Sequence, residues 1–112
     1  MEVNNLKDMI KGWFIGNFEP SLYKTNDVEV GVKSYKAGEY ERTHYHKIAT
    51  EFTVVIDGEV EFNGKKYGKN DMIKILPLEK TDFKAITDAT TVVVKIPGAN
   101  NDKYEGERND ND

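Results

Sequence analysis

Short runs of β-forming residues, each closed by a turn signal, recur from Trp13 to Ile96 and leave little room for other secondary structure. Val28 to Tyr35 alternates apolar and polar residues at the period of a half-buried strand. Glu51 to Ile56 is a second strand, ended by Asp57-Gly58. Glu59 to Phe62 leads into Asn63-Gly64, the strongest two-residue hairpin signal, and Lys65 to Tyr67 returns. Gly68 and Asn70-Asp71 turn the chain before Met72 to Leu76 runs into Pro77. Thr90 to Ile96 is rich in β-branched residues and is closed by Pro97-Gly98. Trp13 to Phe18 reads as a further strand interrupted by Gly16, and Asn4 to Lys11 as one or two helical turns. Many short strands at nearly regular spacing predict an all-β barrel or sandwich.

A chain of 112 residues is expected to form one domain with one modest core. With no cysteine, disulfides, thiolate metal sites and cysteine nucleophiles are excluded, so a metal site must draw on His, Asp or Glu. The longest apolar stretches, such as Phe52 to Ile56, fall far short of the roughly 20 residues of a membrane span. Met1 to Lys11 lacks the apolar run of a signal peptide, and a cytoplasmic location is expected. Of the net charge of −4, a balance of −3 falls between Asp102 and Asp112. This divides the chain into a barrel domain, 1–99, and an acidic, disordered tail, 100–112. No basic stripe suggests a nucleic-acid partner.

The only two histidines are His44 and His46. On an extended strand, side chains two apart share a face, so both imidazoles project to one side. Glu51, on the next strand with Thr53 and Val55, can return its carboxylate toward them if the chain turns between Lys47 and Thr50. Two imidazoles and one carboxylate leave coordination positions open, as catalytic metal sites do. A bare His-x-His is more often a pair of surface residues on a polar hairpin.

The frame around these residues is more specific. Gly38, five residues, His44, one residue, His46, four residues, Glu51, six residues and Gly58 resembles the first motif of the cupin superfamily, G-x5-H-x-H-x3,4-E-x6-G, at every fixed position. The resemblance implies a double-stranded β-helix, or jelly-roll barrel, over roughly Trp13 to Ile96, with His44, His46 and Glu51 as metal ligands. The run His44 to Glu51 is also similar to small bacterial and phage cupins. The second cupin motif is matched only in part. Pro77 stands for its proline, Glu79 replaces its glycine, Ile86 replaces its asparagine, and Asp82 occupies the place of its ligand histidine. Asp82 either completes a set of two histidines and two carboxylates or caps the turn with Thr81. The ion implied is divalent: manganese, iron, nickel or zinc.

Tyr40 and Arg42 precede His44 at even spacing and are therefore expected on its face, where Arg42 can bind a substrate anion. Lys74, alternating with Met72 and Leu76, is a substrate-binding candidate at the barrel mouth, although a solvated surface lysine is the commoner case. Tyr35 and Thr53 are candidates for the cavity wall, and Trp13, Phe14 and Phe18 for core or dimer contact. Ser21 and Ser34 lack a free histidine base, and no phosphate-cradling glycine motif is present. The function these features imply is a metal-dependent small cupin acting on a small polar, carbohydrate-derived molecule, as an isomerase or an iron-dependent oxygenase. The alternative is a non-catalytic ligand-binding cupin. The family resemblance further implies a homodimer, with Trp13 to Phe18 as a pairing element, and no membrane partner.

Overall fold

Turn chemistry fixes where this chain reverses. Asn63 and Gly64 both adopt positive φ, 51° and 81°, as a two-residue type I′ turn requires. Phe62 is thereby placed opposite Lys65. The computed structural model describes residues 1–106. Its strands are β1 (Trp13–Ile15), β2 (Glu29–Tyr35), β3 (Tyr40–Tyr45), β4 (Thr50–Asp57), β5 (Val60–Phe62), β6 (Lys65–Tyr67), β7 (Met72–Ile75), β8 (Thr81–Ala85), β9 (Ala89–Ile96) and β10 (Tyr104–Glu105). Two short 3-10 turns, Leu6–Asp8 and Ile10–Gly12, replace the helical turns expected at the N-terminus.

The strands form two five-stranded sheets, ordered β1-β2-β9-β4-β7 and β10-β3-β8-β5-β6. The first is built around β9, which pairs with β2 from Glu29–Lys95 to Tyr35–Ala89 and with β4 from Thr50–Ile96 to Asp57–Thr90. Because side chains alternate across a strand, one set of residues from each sheet points into the barrel. Val55, Val60, Phe62, Ile75, Phe83, Ala85 and Ala89 meet at one end as the hydrophobic core. The inward positions toward the other end are polar, and a cavity opens there. Among the described residues, no helix is long and apolar enough to cross a membrane.

The boundary expected at residue 99 falls too early. β10 pairs with β3, with Tyr104 opposite Tyr45 and their rings stacked at 5.5 Å. Asp102 is only 6% exposed. An acidic composition suggested a solvated tail, but a single buried carboxylate ties residues 100–106 to the barrel. The rest of the expected tail, 107–112, lies outside the described residues.

Gly58 links β4 to β5 at φ 83°, and a Cβ there would sit 2.2 Å from the carbonyl oxygen of Asp88. Gly64 has a similar φ of 81° but open space around it. Gly64→Ala is expected to cost about 1–2 kcal/mol, the left-handed penalty alone. Gly58→Ala should cost distinctly more, because the Asp88 backbone must move as well. Paired urea denaturation curves check this; equal losses would contradict it.

Candidate functional site

A cavity of about 410 Å³ lies between the two sheets at the polar end of the barrel. Tyr35, Phe62 and Phe83 lie at its inner end, where Phe83 packs on Tyr35 at 4.5 Å and on Phe62 at 5.3 Å. His44, His46, Glu41, Glu51, Thr53 and Thr91 supply polar groups along the walls. Trp13 and the lysines Lys11, Lys33, Lys95 and Lys103 complete the lining.

The structure brings His44, His46 and Glu51 into this one cavity. His44 is at the end of β3 and His46 just beyond it, with ring centroids 5.8 Å apart and planes at 82°. Each Nδ1 is held by a backbone carbonyl: His44 Nδ1 lies 2.8 Å from Arg42 O, and His46 Nδ1 lies 2.6 Å from Asp102 O. A carbonyl only accepts, so each Nδ1 donates its hydrogen, which leaves Nε2 of each ring as the atom free to ligate or to carry a second proton. His46 Nε2 is buried and has no hydrogen-bond partner among the described residues. It lies 3.6 Å from Glu51 Oε1, with side chains only 5% and 13% exposed. Burial pushes the Glu51 carboxyl up, but His46, Lys95 and His44 together outweigh it and hold the group below the ordinary glutamate value. A carboxylate thus faces an imidazole Nε2 out of water, an arrangement that a proton or a cation between them would satisfy. The donor types and the fixed tautomers fit a divalent metal. Among the described residues, however, no three His, Asp or Glu side chains lie close enough together to enclose an ion.

The other expected site residues lie elsewhere. Thr81, not Asp82, is opposite His44 in the β3–β8 ladder, which turns Asp82 to the outer face. There Asp82 Oδ1 accepts from Asn63 N at 2.7 Å, and its own N–H donates to Asn63 Oδ1 at 3.0 Å, bracing the β5–β6 turn. Tyr40 and Arg42 also point outward. Tyr40 Oη donates to Asp82 Oδ2 at 3.4 Å, and Arg42 lies 3.9 Å from Glu105. The cause is an irregularity in the β3–β8 register between Glu41 and His44, which breaks the even spacing that linked Tyr40 and Arg42 to His44. Lys74 is opposite Phe52 on β4 and shares its outer face, while Ile73 and Ile75 face inward with Thr53 and Glu51.

The same irregularity delivers Glu41, which strict alternation had placed outside. Its carboxylate accepts from Tyr35 Oη at 3.3 Å and lies 3.6 Å from Lys103 Nζ. Burial first, and then the charge of Glu41, push the Tyr35 phenol far above its ordinary value, so it remains a proton donor. Trp13, expected in the core or at a dimer contact, covers Gly31 and faces the cavity. Lys33 and Lys95 were legible only as strand residues; once β2 and β9 are paired, their positions become clear.

Asp102 holds the loop that carries His46. Its Oδ1 accepts from Lys47 N and Ile48 N at 3.0 and 3.2 Å, and its Oδ2 from Ile48 N and Ala49 N at 3.1 and 2.9 Å. Asp102→Ala leaves these N–H donors unmatched and loosens the segment whose carbonyl holds His46 Nδ1. The expected loss is about 2–4 kcal/mol in urea unfolding, accompanied by a shift of the His46 ring nitrogen resonances. Asp102→Asn, which keeps one acceptor oxygen, should lose less.

Comparison with known proteins concerns the fold. No family model and no curated protein matches the chain. Among solved structures, an uncharacterized conserved protein with a double-stranded β-helix domain from Klebsiella pneumoniae aligns at TM-score 0.69 and 21% identity, covering 95% of this chain and 92% of that one. KdgF from Halomonas sp. aligns at TM-score 0.62 and 17% identity, covering 68% and 74%. Pac13 from Streptomyces, a nucleoside dehydratase, aligns at TM-score 0.64 and 16% identity, covering 74% and 71%. The chain therefore has the double-stranded β-helix fold of the cupins.

Proposed function

We propose that the cavity holds a divalent metal ion on His44, His46 and Glu51 and acts on a small polar molecule. The observation that carries this reading is the buried Nε2 of His46, without a hydrogen-bond partner among the described residues and 3.6 Å from the Glu51 carboxylate, with Nδ1 of both histidines committed to carbonyls. Natural metal-ligating histidines are oriented by the same kind of outer hydrogen bond. A divalent ion there supplies a Lewis acid that polarises a substrate carbonyl or hydroxyl. Two imidazoles and one carboxylate suit iron, manganese, zinc or nickel. Tyr35, kept protonated, and Glu41, which accepts its hydrogen bond, form a pair able to hold or move a proton inside the cavity. Thr91 Oγ1, buried without a hydrogen-bond partner among the described residues, adds a further polar contact for a ligand. Pac13, a nucleoside dehydratase of the same fold, supports small-molecule chemistry in a cavity of this kind.

A homodimer is part of the same proposal, but through a different surface from the expected Trp13–Phe18 strand, since Trp13 is turned to the cavity. The outer face of the first sheet carries Val30, Val32, Phe52, Val54, Val92 and Val94, with Met72 80% exposed at its edge. A contiguous apolar sheet face of this kind is a contact surface in a water-soluble protein, and a second copy offers the matching apolar face.

Elemental analysis of protein purified without a histidine tag tests the metal site. Near-stoichiometric metal is expected in the wild type and background levels in His44→Ala and His46→Ala, with Glu51→Gln strongly reduced and circular dichroism confirming the fold of each. Wild type that takes up no manganese, iron, nickel or zinc would overturn the reading. For the dimer, sedimentation equilibrium should give twice the chain mass, reduced to one chain by Val54→Lys. A monomeric wild type at tens of micromolar, roughly the range of weak dimers, would sink it.

A further inference from the structure

Lys33 Nζ and Lys95 Nζ each lie 5.1 Å from the centre of the Trp13 ring. Lys11 lines the same part of the cavity, and Lys33 Nζ donates to its carbonyl at 2.7 Å. Lys103 is partly neutralised by Glu41. Among the described residues, no carboxylate forms an ion pair with Lys11, Lys33 or Lys95. The chain as a whole carries −4, so this is a concentration of positive charge against the prevailing sign. Burial pulls the Lys33 ammonium below its ordinary value; Glu41 opposes this, while Lys11, Lys95 and Lys103 add to the fall. Ammonium groups crowded round one opening repel each other unless an anion sits between them.

We propose that this mouth is an anion-binding aperture, in which Lys11, Lys33 and Lys95, set round Trp13, take the carboxylate or phosphate of a small acidic ligand. That the ligand's other end reaches His44, His46 and Glu51 rests on the metal-site reading; the aperture itself does not. The substrate class is then a small organic acid or phosphate ester, narrower than any polar molecule.

Trp13 is the only tryptophan in the chain, so its fluorescence reports directly on the aperture. The full chain, metal-stripped and metal-loaded in parallel, is titrated with inorganic phosphate, succinate, D-glucuronate and glucose 6-phosphate, with D-glucose as the neutral control. At least one acid is expected to change Trp13 emission where D-glucose does not, and the affinity should weaken as salt is raised. Carboxylates binding better than phosphates, or the reverse, would identify the acid group. Lys33→Met and Lys95→Met should each weaken binding by about tenfold or more, while Lys95→Arg keeps most of it and shows that the fold is intact. Metal content should be unchanged in all three variants. Binding of D-glucose as tight as its acids, unchanged binding in both methionine variants, or no response to any of the four anions would overturn the proposal. Acid binding by a wild type that holds no metal would leave the aperture standing and remove the metal reading. Metal without acid binding would do the opposite.

Discussion

The pairing of β9 along its length, with β2 on one side and β4 on the other, sets the interior of this barrel. The ladder puts Lys33, Thr91 and Val55 in one row, Gly31, Val93 and Thr53 in the next, and Glu29, Lys95 and Glu51 in the last. Of these inward rows, the one that holds Glu29, Lys95 and Glu51 is the most charged. Lys95 stands between two glutamates across neighbouring strands, the arrangement in which opposite charges support a sheet. A slip of one residue would bring Val92 and Val94 inside and turn Lys95 out, leaving a better oil core and no site. The register therefore keeps a polar cavity at the expense of apolar burial, and the outer valines stay half-buried on the opposite face.

Two local devices then place the histidines and their neighbours. The irregularity in the β3–β8 ladder lets Glu41 and His44, three residues apart, both face the cavity. The Asp102 carboxylate gathers three successive backbone N–H groups of the loop after His46, while its carbonyl fixes the His46 ring. A loop left with such buried donors unpaired would be costly. The acid that satisfies them lies more than fifty residues away in sequence, so the strand that closes the fold also aligns the site.

This explains which features the sequence revealed. Strand positions were legible because turn residues are local: Asp57-Gly58 and Asn63-Gly64 act where they stand. The pairing of His44 with His46 was legible because a separation of two preserves the face even at a strand end. Which face looks inward was not. In Val28 to Tyr35 the valines suggest the buried side, yet Gly31, Lys33 and Tyr35 line the interior, because this half of the barrel is a cavity and not a core. Asp82 and Lys74 failed for the same reason: each is one position out of phase with the interior, and only cross-strand partners reveal the phase. Asp102 was hidden by composition, since an acidic stretch reads as solvated until a set of buried N–H donors is found beside it.

The charges inside the cavity then follow from burial rather than from net charge. Removal from water strengthens every interaction among Glu41, Glu51, the histidines and the lysines. It holds Tyr35 in its protonated form, and it makes the charge on Lys33 expensive. Glu41 is shared by Tyr35 and Lys103, and Glu51 lies nearest His46, which leaves positive charge in excess among Lys11, Lys33 and Lys95. A fold selected for stability alone would replace such lysines with apolar residues. The same partial desolvation that makes their charge costly also strengthens any interaction they make with an anion. An anion bound among these lysines would offset that cost and raise the stability of the fold.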